Sequence, residues 1–262
     1  MNKELLDSLY SLEEKESNTS KDKLCRDGLI SFLKNLRLAL FTKYFCDEFN
    51  KENVNKYLNA SYEDIKAALG NLFPEYEDKV NEFYNSLISI REALMLDVKA
   101  IYEGDPASNS YEEIISTYPG FTAIFCYRVA HKFYLMGMKS LARILSEYAH
   151  SRTGIDINPG ATIGKSFFID HGTGIVIGET TIIGDNCKLY QGVTLGAMSL
   201  KDGRKLVDKK RHPTLLNNVV IYSGASIFGG DTVIGNNVII GSNVEIKESV
   251  PDNTVVRGNF GK

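Results

Sequence analysis

Thirteen aliphatic residues in the second half of this chain fall into one repeating phase, and no other feature restricts the fold as tightly. Ile157, Ile163 and Ile169 stand six apart; after a slip of two come Ile177, Ile183, Leu189 and Leu195. A long insertion follows, then Leu215, Ile221 and Ile227; after a slip of one come Ile234, Ile240 and Ile246. Glycine follows the repeating residue at Gly164, Gly178, Gly184, Gly196, Gly235 and Gly241. A period of six matches neither the 3.6 of an α-helix nor the alternation of a hairpin. It predicts a solenoid of short strands and tight corners, in which each hexad makes one face and stacked coils bury a common core.

The first half reads differently. Residues 1–150 hold five of the 22 glycines and the last 112 residues hold 17. Glycine costs about 1 kcal/mol relative to alanine inside a helix, so only the first half suits helices. There Phe83, Leu87, Ile90, Leu94, Val98 and Ile101 form one apolar helical stripe, ended by Gly104-Asp105-Pro106. A helix pair is expected over Phe121–Met136 and Met138–His150, broken at Gly137, and residues 12–23 read as a polar linker after a short N-terminal helix. The expected class is therefore α+β, with an α-helical domain over residues 1–150. This domain is expected to dock onto the solenoid or onto copies of itself, contributing to oligomerisation and to a substrate site. A solenoid domain over 151–262 carries an inserted loop at about 196–214.

Composition removes several function classes. At 43% hydrophobic and 24% charged the chain is an ordinary globular one rather than a disordered one. Its net charge of −3 offers no basic field for nucleic acid or an anionic membrane. The acidic, amphipathic start has no signal-peptide core, and no run of 18 apolar residues occurs. Four cysteines without CxxC spacing complete an expectation of a cytoplasmic protein.

Six stretches sharpen the picture: Asp105-Pro106-Ala107, Tyr127-Arg128-Val129, Asp156-Ile157-Asn158-Pro159, Asp170-His171-Gly172-Thr173-Gly174, Ile177-Gly178-Glu179-Thr180 and Arg211-His212-Pro213. In this order, over about residues 80–258 and behind a helical domain, the chain resembles the serine O-acetyltransferases of the hexapeptide-repeat acyltransferase superfamily. The resemblance implies a left-handed parallel β-helix with three hexads per coil, a homotrimer or dimer of trimers, and active sites between adjacent subunits. It implies acetyl transfer from acetyl-CoA to the hydroxyl of L-serine in cysteine biosynthesis, with acetyl-CoA as co-substrate and no metal or other cofactor. Feedback inhibition by cysteine follows from the same resemblance.

Acetyl transfer to an alcohol needs a base for the hydroxyl proton, and histidine suits that role. Of the four histidines, His131 and His150 lie in helical text and read as structural. His171 sits where the hexad phase slips by two, beside glycines that leave room for a ligand. The resemblance makes His171 the general base and Asp156 its dyad partner; a turn-forming role for Asp156 stays open. It sets Asp105 and Asp170 facing the amino acid, with Arg211 on its carboxylate and His212 beside Arg211. On sequence alone Asp105 is a helix-end residue, and Arg211 and His212 end a basic run, Lys209-Lys210-Arg211-His212. Ala197, Ser223 and Ser242 match the small residues of the acetyl-CoA groove, although any solenoid corner favours small residues. No serine or cysteine adjoins His171, so transfer is expected to be direct.

The chain departs from the family pattern in three places. The insertion between Leu195 and Leu215 is long and basic and is expected to fold over the active site. Thr122 replaces a histidine, and the chain ends at Lys262 without the longer tail that docks the sulfhydrylase. Complex formation with that enzyme therefore stays open, and cysteine is expected to interfere less with acetyl-CoA than in longer-tailed relatives. The competing readings are an acetyltransferase for a sugar or other hydroxyl compound, a β-helical zinc carbonic anhydrase, and a non-enzymatic scaffold.

Overall fold

A computed structural model describes residues 3–14, 23–199, 201 and 203–258. The helical part runs α1 (Lys3–Glu14), α2 (Arg26–Leu40), α3 (Thr42–Phe45), α4 (Lys51–Leu69), α5 (Phe73–Asn85), α6 (Leu87–Gly104), α7 (Tyr111–Thr117), α8 (Pro119–Leu135) and α9 (Lys139–Thr153). Helix α2 buries Leu29, Phe32, Leu33, Leu36 and Ala39, a stripe at spacings of three and four. The side chains of Asn50 and Ser110 cap α4 and α7 by accepting from the N–H three residues on. Helix α8 is apolar on almost every side and is wrapped by its neighbours accordingly.

Two helical expectations need correction. The stripe from Phe83 to Ile101 is buried throughout but spans two helices that meet at Ser86. The Ser86 hydroxyl donates to the Phe83 carbonyl at 2.6 Å, the local competition with backbone pairing that makes serine a helix interrupter. One residue of near-helical backbone keeps the stripe in phase across the break. The expected linker at residues 12–23 begins too early, because Leu12–Glu14 still belong to α1; residues 15–22 lie outside the described residues. The α8–α9 pair turns at Gly137 as expected, where φ is +81°.

From Asp156 onward the chain is a parallel β-solenoid of about five turns. Its strands are β1 (Asp156–Ile157), β2 (Thr162–Ile163), β3 (Phe168–Asp170), β4 (Val176–Ile177), β5 (Ile182–Ile183), β6 (Lys188–Tyr190) and β7 (Thr194–Gly196). After the insertion come β8 (Thr214–Leu215), β9 (Val220–Ile221), β10 (Ser226–Phe228), β11 (Val233–Ile234), β12 (Ile239–Ile240), β13 (Glu245–Ile246) and β14 (Val255–Val256). They stack into three sheets: A, in the order β1-β4-β7-β10-β13; B, β11-β8-β5-β2; and C, β14-β12-β9-β6-β3.

Every in-phase aliphatic is buried except Ile246 in the last coil, which is partly so. The residue two positions earlier also points inward: Ile155, Ala161, Phe167, Ile175, Thr181, Cys187, Val193, Val219, Ala225, Thr232 and Val238 are all buried. Each hexad thus supplies two core residues. The two phase slips are corners. The first holds His171, Gly172 and Gly174 in left-handed backbone, and the second holds Gly229 at φ +107°. The helical part rests on the first coil, α9 against β1 and α6 against β3, with the start of α8 so close to β3 that a Cβ on Gly120 would lie 2.5 Å from the Ile169 carbonyl oxygen.

Candidate active site

Each sheet passes the chain to the next at a corner, so sheet A has two edges, and the candidate residues divide between them. One edge is the corner from C to A, which holds Asp170, His171, Ser223 and Ser242. The other is the corner from A to B, which holds Ala197, Arg211 and His212.

At the first edge the structure assembles an oxygen-rich cluster. His171 ends β3 with φ +56°, a left-handed backbone that histidine enters more readily than most side chains. Its ring is 71% exposed, with Nδ1 3.6 Å from Asp170 Oδ1, beyond hydrogen-bond range. Asp105 caps the end of α6, where Oδ1 accepts from the Ala107 N–H at 2.8 Å and Oδ2 from the Tyr118 hydroxyl at 2.7 Å. Tyr190 follows Asp170 in register on the neighbouring strand, and Tyr222 stacks on it with ring centroids 5.1 Å apart. Burial pushes up the phenols of Tyr118 and Tyr190, and both also feel the charges of Asp105 and Asp170. Two carboxylates and two phenol oxygens therefore converge beside an exposed imidazole. That is a seat for a cation.

Asp156 opens the coil that His171 closes. Its strand pairs with β4, and Ile155 packs beneath Gly172, next to His171. No hydrogen bond joins Asp156 to His171; the Asp156 carboxylate instead gathers within 4.8 Å of the ligating atoms of Glu147 and His150. The expected dyad is thus adjacent in the fold but not formed.

The second edge has the opposite character. His212 is buried, and its Nδ1 accepts from the Thr180 N–H at 3.1 Å, with the Thr180 hydroxyl at 2.9 Å. This pairing leaves Nε2 as the protonated nitrogen of a neutral ring. Burial, with Arg211 and Lys210 nearby, pulls its pKa down to about 4. The ring lies against Gly178, where a Cβ would sit 2.0 Å from His212 Cδ2, so only glycine admits it. Arg211 pairs with Glu179, whose other oxygen accepts from the Tyr134 hydroxyl at 3.0 Å. The guanidinium holds the Glu179 carboxyl below the usual carboxylate range. Ala197 and Arg211 line a cavity of about 340 Å³ with Met198, Gly230, Thr232 and Lys247. At the first edge, Ser223 donates to Ser242 at 3.3 Å across adjacent coils.

The structure therefore brings together Asp105, Asp170 and His171 on one side and Ala197, Arg211 and His212 on the other. The width of sheet A separates the groups. Among the described residues three histidines do not gather around one point, as a zinc site would need, since His171 and His212 stand on different edges. Sequence reasoning missed Tyr118, Tyr190, Thr180 and the role of Glu179. Stacking the hexads in threes would have revealed Asp170, Tyr190 and Tyr222 as one column; Tyr118, at a helix junction, carries no periodic signal.

The family model for the N-terminal region of serine acetyltransferases matches residues 73–126, which include Asp105 and Tyr118. A plasmid-borne serine acetyltransferase of Synechococcus elongatus is 41% identical over 248 residues, covering 85% of this chain and 74% of its own length. Among solved structures, serine acetyltransferase isoform 3 of Entamoeba histolytica in complex with cysteine aligns with a TM-score of 0.79 and 35% identity, over 99% of this chain and 91% of that one. The Neisseria gonorrhoeae serine acetyltransferase in complex with serine aligns with a TM-score of 0.65 and 28% identity, over 99% of this chain and 90% of that one.

Proposed function

The chain belongs to the serine acetyltransferase family, and on that footing we propose which of its residues carry an acetyl group from acetyl-CoA to the hydroxyl of L-serine. The observation that carries the assignment is the division of charge: carboxylates beside His171 on one edge of sheet A, and Arg211 with neutral His212 on the other. Serine is a zwitterion a few ångströms long. Its ammonium suits Asp105 and Asp170, and its carboxylate suits Arg211 and the free N–H of His212. One protomer presents these groups too far apart for such a small molecule. Two adjacent protomers, the first edge of one facing the second edge of the other, close both halves on it, as a cyclic trimer provides.

In that groove His171 takes the hydroxyl proton as the serine oxygen attacks the thioester carbonyl. The tetrahedral intermediate collapses, the C–S bond breaks, and the imidazolium returns its proton to the departing CoA thiolate. Asp156 orients the ring by accepting from it once the groove is closed. Ala197 of one protomer and Ser223 and Ser242 of the other flank the pantetheine arm along the same groove. Cysteine carries the same ammonium and carboxylate as serine, and the Entamoeba relative is complexed with it. It therefore competes for the serine site here.

Steady-state kinetics with each substrate varied in turn test the reading. Arg211→Ala raises the KM for serine by roughly tenfold or more, the worth of a charge-assisted hydrogen bond, and leaves that for acetyl-CoA within about twofold. Cysteine raises the apparent KM for serine without lowering kcat. Equal effects of Arg211→Ala on both substrates, or no response to cysteine, would remove the serine-site assignment.

A further inference from the structure

Helix α6 and the solenoid each bring one carboxylate to the first edge, and a buried ion pair ties the two together. Asp97 lies on α6 with its side chain fully buried. Its Oδ1 accepts from Arg128 Nη2 at 2.7 Å and from the Phe167 N–H at 2.9 Å, and Oδ2 accepts from Arg128 Nε. Arg128, on α8, also donates Nη2 to the Gly164 carbonyl at 2.9 Å. Four hydrogen bonds thus join α6, α8 and the solenoid backbone just ahead of β3. From Phe167 the chain needs three residues to reach Asp170. From Asp97, α6 needs eight residues, a rise of about 12 Å, to reach Asp105. Over that length the helix is stiff, and its last residue, Gly104, lies against the Phe168 ring of β3.

We propose that Asp97 and Arg128 are positioning residues for serine binding: the pair fixes the spacing of Asp105 from Asp170 by pinning their two parent elements at one point. A buried charge pair suits this task because its geometry tolerates little drift. A guanidinium fork that slides leaves charged atoms without partners in a dry interior. Apolar packing alone would let α6 shift along β3 at small cost, and a displacement of about 1 Å at a substrate-positioning group costs up to about 100-fold in rate. The inference rests on the reading of Asp105 and Asp170 as the ammonium site.

Three variants and two controls test it. Arg128→Lys keeps the charge but loses the fork and one of the backbone bonds. Asp97→Asn keeps the shape and leaves Arg128 uncompensated. The double variant Asp97→Leu with Arg128→Met replaces the pair by apolar side chains of similar size, an exchange that buried pairs often survive with stability intact. The expected result is a serine KM raised about tenfold in the double variant, less in Arg128→Lys, with the acetyl-CoA KM unchanged and the melting temperature of the double variant near that of the parent. Controls Asp105→Asn and Asp170→Asn raise the same KM directly. If the controls raise it and the folded double variant does not, the positioning role is wrong while the ammonium site stands. If the controls leave it unchanged, the ammonium-site reading fails. A fall in kcat alone, with both KM values intact, or failure of all three variants to fold, makes the pair a stability element and overturns the proposal.

Discussion

His212 is the side chain whose protonation the fold most clearly controls. Its ordinary pKa of 6.5 falls to about 4 because the ring is buried and has Arg211 and Lys210 as neighbours. Above about pH 6.5 the ring is neutral folded or unfolded; between about 6.5 and 4 only the unfolded chain takes up the proton. Stability is therefore lost across that window as the pH falls, and no further loss comes from this group below it. Melting temperatures from pH 7.5 to 4.5 show this as a slope that His212→Asn makes shallower. His171 stands open to solvent at a corner. His171→Ala lowers kcat by ~100-fold or more while leaving the fold intact, as loss of a general base does. Asp156→Asn costs less in kcat because it disturbs only the ring's orientation, whereas Asp170→Asn acts mainly on the serine KM. If instead Asp170→Asn gives the larger fall in kcat, Asp170, the carboxylate nearer the ring, is the orienting group. Sequence named these side chains through motifs, but which of them touch was illegible, because contact here depends on rotamers at corners rather than on spacing.

The solenoid's elements are legible to different depths. The inward Ile and Leu positions and both slips could be read from the period alone. The second inward column could not, because Ile155, Ala161, Thr181, Cys187 and Val219 share no residue type, only a position two before the repeating aliphatic. The B-to-C corner shows another hidden regularity. Asn218, Asn237 and Asn253 all have left-handed backbone, and their side-chain amides form a ladder at 3.0 and 2.9 Å. Asparagine satisfies both demands at once, since it tolerates that backbone and can donate and accept. Asn237→Ala is expected to destabilise the protein by about 1–2 kcal/mol and Asn237→Gly by less, since glycine accepts the backbone conformation. Urea midpoints measure the difference. Serine and acetyl-CoA kinetics stay unchanged in both variants, because this corner belongs to neither edge of sheet A.

At the scale of the whole molecule, the decisive fact is that the two groups of candidate residues face different ways. The order of motifs along the chain gives no hint of this, because Asp170-His171 and Arg211-His212 simply follow one another. Counting strands in threes would place His171 after a third strand and Ala197 after a first, but the insertion at 196–214 interrupts the count where it matters. A mixing experiment reads the arrangement directly. His171→Ala is nearly inactive alone, and Arg211→Ala is nearly so when serine is held well below the parent KM. When co-assembled in equal amounts as a cyclic trimer, one site in four pairs an intact first edge with an intact second edge, giving about a quarter of the parent activity. Simple blending of preformed assemblies gives none. Recovery at that level establishes shared sites, and no recovery after co-assembly returns the whole site to a single protomer.

The left-handed backbone at His171 also bears on how such a protein could drift. Most replacements there add a strain of about 1–2 kcal/mol to the corner, a cost that leaves the chain folded but disfavours them whichever reaction they abolish. Asparagine and glycine are spared that cost. A descendant carrying His171→Asn would keep its coils, its acidic cluster and its grip on small amino acids while losing turnover. The gentlest path out of catalysis thus leads toward an amino-acid receptor, and that corner is the first place to look for one among relatives.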